Sequence, residues 1–116
     1  MSVTVELDKL LEVAAGFGTT PMLLTADDDG RPRASAVSVT WDGETARVRA
    51  GHRSVANGAA RPLSSLLWPA PPGERFALLV DGEITATESD ADPKSGGYLA
   101  FRATGGILHV VDRPHG

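Results

Sequence analysis

Residues 45–62 read TARVRAGHRSVANGAARP, and the change of texture inside this stretch decides the fold. Over Thr45–Ala50, Ala46 and Val48 alternate with Arg47 and Arg49, the period of a strand with one covered face. From Ser54 to Arg61 the alternation stops, the composition becomes Ala-rich and Pro62 closes the segment. That spacing predicts a helix of about two turns, weakened by Gly58. Between strand and helix stands Gly51-His52-Arg53-Ser54. A helix start carries free N–H groups and a partial positive charge, and Arg53 and Ser54 add donors to it. The junction is therefore the candidate phosphate site.

Working outward, Arg33–Trp41 alternates in the same way, with Val37, Val39 and Trp41 on one side and Ala36, Ser38 and Thr40 on the other. Asp27-Asp28-Asp29-Gly30 and Asp42-Gly43 read as tight turns, so two hairpins in sequence are expected. Residues 4–16 place Leu7, Leu10, Leu11 and Ala14 at helical spacing, with Thr4 as the expected cap and Gly16 as the stop. Strands are expected over Leu63–Trp68 and over Phe76–Val80, the latter continuously apolar and so covered on both faces. Another is expected over Glu83–Thr87, beyond an Asp81-Gly82 turn or bulge. Ser89–Gly97 is polar and reads as a loop, and Tyr98–Thr104 with Ile107–Asp112 reads as a strand pair around Gly105-Gly106. Six or seven strands with mostly hairpin links and two helices suggest a mainly β (α+β) antiparallel barrel. With 116 residues it forms a single domain over 1–116.

Composition narrows the chemistry. There is no cysteine, which excludes disulfide frameworks, thiolate catalysis and cysteine-held metals. No apolar run approaches the ~20 residues of a membrane span, and Glu6 and Asp8 break any secretory pattern, so a cytoplasmic location is expected. The net charge of -4 hides an asymmetry. Residues 31–61 carry six arginines against Asp42 and Glu44, a balance of +4, while the remainder carries five basic and thirteen acidic residues. Arginine suits bidentate binding of phosphate or carboxylate, although a row of arginines on a strand face also serves as plain solvated surface. Nucleic acid is not the expected partner, because the chain is acidic overall and only 5% aromatic.

No residue set supports protein-only catalysis. His52, His109 and His115 have no ligand spacing, and His109, among Leu108, Val110 and Val111, reads as a structural histidine. The serines lack a nucleophile-elbow context, and the acidic run Asp27–Asp29 reads as a solvated turn rather than a cation site. Catalytic residues and metal ligands are therefore expected to be absent. If the domain does chemistry, a bound cofactor supplies it. Leu66-Leu67-Trp68-Pro69 is either an interface patch or part of the core.

The block from Leu23 to Ala86 resembles the pyridoxamine 5′-phosphate oxidase-like family, the flavin-binding split barrels. LLTADDDGRPRASAVSV matches its strand–turn–strand, RVRAGHRSVANGAARPLSSLLW its strand–loop–helix–strand, and ERFALLVDGEITA the segment that follows. The resemblance implies a six-stranded Greek-key split β-barrel, with an N-terminal helix and a short helix after the third strand. It further implies a homodimer with a flavin between subunits. Ser35, Ala36, Val37 and Ser38 map to the positions that line the ring, and Val48, Arg49, Arg53 and Ser54 to those that bind the phosphate. This chain has Ser54 where relatives often carry a lysine, with Arg47 or Arg49 placed to compensate, and Gly58 where they carry a longer side chain. No C-terminal Arg/His segment of the true oxidases follows, so vitamin B6 oxidation is not implied. The expected function is binding of FMN or a deazaflavin coenzyme, with hydride transfer to a small substrate. The alternatives are a non-catalytic flavin, haem or tetrapyrrole carrier or sensor, and a vestigial dimeric module.

Overall fold

The computed structural model describes residues 2–111. Eight strands and two helices follow in the order β1 (Ser2–Val5), α1 (Leu7–Ala15), β2 (Met22–Ala26), β3 (Pro32–Ala36), β4 (Ser38–Asp42), β5 (Thr45–Ala50), α2 (His52–Ala60), β6 (Leu63–Trp68), β7 (Phe76–Ser89) and β8 (Gly97–Val110). A short 3₁₀ turn over Pro93–Ser95 sits between the last two strands. All pairings are antiparallel, and the sheet runs β3-β2-β6-β7-β8-β5-β4, with β1 added to β8.

The two ends of that path, β3 and β4, are separated in sequence by Val37 alone. A sheet whose first and last strands are joined by one residue has to curl until its ends meet. Val37 is buried at the join, its N–H donating to the Pro21 carbonyl at 3.1 Å, and the Val39 N–H donates to the Thr19 carbonyl at 2.9 Å. The alternation over Arg33–Trp41 therefore predicted the faces correctly, with Val37 and Val39 inward and Ala36, Ser38 and Thr40 outward. Its reading as one strand misses that the two halves pair with different neighbours.

Inside the curl lies a core of Leu23, Val48, Leu66, Trp68, Leu78, Val80, Leu99 and Phe101, all at 2% exposure or less. Burial of such side chains stabilises the fold by about 1.5–3 kcal/mol each. The Trp68 indole N–H, which burial would otherwise leave unpaired, donates to the Gly18 carbonyl at 2.9 Å. Leu66 and Trp68 are thus core residues, and only the half-buried Leu67 and exposed Pro69 of that stretch face outward.

Several elements differ from the sequence-based expectation. The fold has eight strands rather than six or seven: residues 2–5 form the additional β1, and the expected strand over Arg33–Trp41 is two. Thr4 pairs with Ile107 rather than capping, and α1 begins after Glu6, which makes no side-chain cap. The backbone edge of β8 beyond the end of β5 is what β1 satisfies. Within Phe76–Val80 only Leu78 and Val80 are fully buried, so this segment is covered on one face and half-covered on the other. It continues through Asp81-Gly82, a register shift as expected, into a 14-residue strand.

The expected strand pair around Gly105-Gly106 is one continuous 14-residue strand; Asp112 and His115 lie outside the described residues. The chain runs on through Gly105-Gly106 because both pair with β7, and Gly106 makes room for α1: a Cβ would stand 2.7 Å from Leu10 Cδ1. His109 is exposed, with Nδ1 3.3 Å from Ser2 Oγ.

Gly82 is the tightest glycine of the bulge. A Cβ there would stand 2.5 Å from the Arg102 carbonyl oxygen and 2.7 Å from Phe101 Cε1. Gly82→Ala is expected to cost about 1–3 kcal/mol through overpacking, lowering the urea midpoint at unchanged slope. An unchanged midpoint would show that the bulge yields freely.

Candidate functional site

The helix α2 is moored by its polar side. Ser54, Asn57, Gly58 and Arg61 follow the i, i+3, i+4, i+7 spacing of one helix face, and the first three are buried. Ser54 Oγ donates to Ser35 Oγ on β3 at 3.0 Å. Asn57 Nδ2 donates to Asp27 Oδ1 at 2.9 Å and to Thr25 Oγ1 at 3.3 Å. Arg61 Nε donates to the Ala26 carbonyl at 2.8 Å, and its guanidinium also reaches Asn57 Oδ1 and Asp28. Gly58 lets the helix lie close to the sheet: a Cβ there would stand 3.2 Å from Leu99 Cδ2 and 3.3 Å from Ile84 Cγ1.

Asp27 anchors this network and is not a solvated turn residue. The Asn57 amide and then Arg33, whose Nε lies 2.5 Å from Asp27 Oδ2, hold its carboxyl below the usual aspartate range. The sequence offered a signal for this: an asparagine on the same helix face as Ser54 and Arg61, in an otherwise Ala-rich helix, needs a polar partner when that face packs.

At the other end of α2, Gly51 is the N-cap and provides no side-chain acceptor for the first-turn N–H groups. His52, Arg53 and Ser54 therefore belong to the first helical turn rather than to a loop before it. The Arg53 side chain is 65% exposed, and its nearest carboxylate contact is Asp27 at 3.9 Å. His52, Arg53, Ala56, Asn57 and Asp27–Asp29 surround an open depression of about 470 Å³.

The eight expected site residues do not all face one space. Ser35 and Ser54 meet on the inner side, where Val37 and Val48 are also buried. Ala36 and Ser38 face outward, and Ser38 lies opposite Arg49 in the register. The side chains of Val37 and Val48 thus face the core, Val48 has a strand on both sides, and the Val37 N–H is taken by Pro21. Arg49 already has a carboxylate partner: its Nη1 and Nη2 donate to the two oxygens of Asp90 at 2.7 and 2.6 Å, and Nη2 also reaches the Ser95 carbonyl. Arg49 and then Ser95 Oγ, at 2.7 Å, hold the Asp90 carboxyl down to about 2. Arg47 leans over the Tyr98 ring, 3.8 Å from its centroid, on the outer face. Neither arginine stands in for the absent lysine at Ser54 in this arrangement, and Arg53 is the exposed cation at the helix start.

Beside these groups runs an unpaired backbone edge. As the ends of the sheet path, β3 and β4 each have one side without a strand partner among the described residues. The loop before β2 takes part of that side, where the Val37 and Val39 N–H groups meet the Pro21 and Thr19 carbonyls, and no further strand covers the rest.

No protein-family model and no curated protein sequence matches the chain. Solved structures do match. An F420 reductase superposes with a TM-score of 0.63 at 21% identity, over 76% of this chain and 88% of its own. A Clostridium acetobutylicum protein of the pyridoxinephosphate oxidase family, related to general stress protein 26 of B. subtilis, gives 0.65 at 16% identity over 91% of each chain. HutZ, a heme storage protein of Vibrio cholerae, gives 0.61 at 19% identity over 91% of this chain and 95% of its own. The chain shares the fold of the pyridoxamine 5′-phosphate oxidase-like proteins. Among the described residues no helix is long and apolar enough to cross a membrane.

The Asp90–Arg49 pair generates a pH prediction. A carboxyl lowered in the folded state contributes stability above its unfolded value and loses it as pH falls through the folded one. The difference in thermal midpoint between the protein and Asp90→Asn is expected to be constant from pH 7 to about 5. It should then shrink between the ordinary aspartate value and about 2. A difference that stays constant down to pH 2.5 would show that the pair does not stabilise the fold.

Proposed function

We propose that the chain binds a flavin-type cofactor, FMN or a deazaflavin coenzyme, and uses it for hydride transfer to a small substrate. The observation that supports this reading is the juxtaposition of the outer side of β3, which has no strand partner among the described residues, with a helix start that lacks a side-chain cap and bears the exposed Arg53, the two joined by the Ser54–Ser35 hydrogen bond. The residues fit such a group. Arg53 and the first-turn N–H groups of α2 would hold the phosphate, while the buried Ser54 hydroxyl, which donates to Ser35, fixes the helix start beside β3. Backbone groups of Ala36 and Ser38 would hold the ring edge, while buried Val37, held by the Pro21 carbonyl, and buried Val48 keep the backbone rigid beneath it. The chemistry the bound cofactor supplies is hydride transfer, with the protein contributing orientation and exclusion of water.

The fold shared with an F420 reductase and with pyridoxinephosphate oxidase-family proteins supports this assignment. Two copies per functional unit, in the cytoplasm, complete the proposal. The heme storage protein among the structural matches favours one second reading, a carrier that binds a haem or tetrapyrrole without turnover. Absorbance of the purified protein separates the two, since flavins and haem have distinct bands. Turnover with reduced cofactor and an acceptor then separates enzyme from carrier.

Titration with FMN and with a deazaflavin, followed by fluorescence, is expected to show micromolar binding of one of them. Arg53→Ala should weaken it by about tenfold or more, the loss of a charged hydrogen bond. Binding that is absent for both cofactors, or unchanged by the substitution, would sink the assignment.

A further inference from the structure

On the outer face of the sheet, away from α2, a second groove of about 440 Å³ crosses β4, β5, β8 and β7. Its floor follows from the register. Thr40 lies opposite Arg47, Arg47 opposite Ala100, and Ala100 opposite Ala86, so one row across four strands ends in two methyl groups. The next row is taller: Arg49 lies opposite Tyr98, and Tyr98 opposite Glu88. Low alanines beside a ridge of Tyr98 and Glu88 make the groove, and the lining is mostly apolar.

The polar groups along it are ordered by charge. At one end Arg47 is held flat over Tyr98, 3.8 Å from the ring centroid, with the Thr40 hydroxyl on the neighbouring strand. Arg49, 5.1 Å from the same ring, is neutralised by the bidentate contact with Asp90. Arg47 has no carboxylate within ion-pair distance among the described residues. At the other end stands the carboxylate of Glu88, likewise without an ion-pair partner among them, and Asp42 lies on the rim beside the β4–β5 turn. Neighbouring strands are about 4.8 Å apart, so the groove spans about 14 Å from β4 to β7.

From this arrangement we propose that the outer groove is a binding site for a small, flat amphipathic acid that carries a carboxylate at one end and a hydrogen-bond donor at the other. The carboxylate sits at Arg47 and Thr40, where the guanidinium is pre-positioned by its stacking on Tyr98. The apolar body covers Ala100 and Ala86, and the donor meets Glu88. This site shares no residue with the Arg53 junction, so it stands whether or not a cofactor binds there.

The test uses 6-amino-2-naphthoate as a fluorescent probe, with 2-naphthoate and 6-amino-2-naphthamide as comparators, and maps each by amide chemical shifts. The amino acid probe is expected to bind with shifts confined to β4, β5, β7 and β8. The amide should bind about tenfold more weakly, Arg47→Gln should lower probe affinity by about tenfold, and Glu88→Gln should weaken the amino-bearing probe more than 2-naphthoate. Arg53→Ala should leave probe affinity unchanged, which keeps failure here distinct from failure of the cofactor assignment. Equal affinity for acid and amide would overturn the proposal, as would shifts mapping elsewhere or the absence of binding at millimolar probe. So would a native mass of two chains with this face protected and no probe uptake, which would make the groove an interface between copies.

Discussion

One covalent constraint governs the molecule: a single buried residue, Val37, joins the first and the last strand of a seven-strand path. Everything else accommodates it. The sheet must curl, its inner face must be apolar enough to fill the space, and the loop at Thr19–Pro21 must supply carbonyls to the crossing backbone. Beyond those carbonyls, the outer edges of the two joined strands have no strand partner among the described residues, a feature that is an aggregation liability in most proteins. Architecture and candidate site thus have one origin.

Two kinds of force hold the parts. The sheet is secured by ladder hydrogen bonds and apolar burial around Trp68 and Phe101. By contrast, α2 presents a small and polar face and is fastened by Asp27, Asn57 and Arg61 to the β2–β3 turn. Buried polar groups of this kind are costly unless every member is satisfied, and they fix one docking geometry when they are. The helix start that carries Arg53 is positioned by this geometry.

Much of this was legible from residues alone because side-chain parity survives tertiary context. Val39 with Ala46 and Val48, and the turns at Gly30 and Gly43, report faces and reversals directly. The break at Val37 was silent, since the same parity continues while only the hydrogen-bond partner changes. Gly105-Gly106 misled because a glycine pair ordinarily marks a turn, whereas here Gly106 is required by the close approach of Leu10 within a continuous strand. Of the site, Arg53 and Ser54 were accessible from their place before an Ala-rich helix. The pairing of Arg49 with Asp90 was not, because it spans 41 positions and depends on how the loop before β8 folds back.

The unequal fastening of sheet and helix has a consequence for how the molecule answers its surroundings. Asp27 holds Asn57 and Arg33 most strongly as a carboxylate, and these neighbours keep it ionised to below the usual carboxylate range. Strong acid therefore loosens the helix from one side while the hydrocarbon interior of the sheet is indifferent to protons. Acid thus acts at the two places where a carboxylate ties a peripheral segment to the sheet, Asp27 at α2 and Asp90 at the loop before β8, and leaves the hydrocarbon interior untouched.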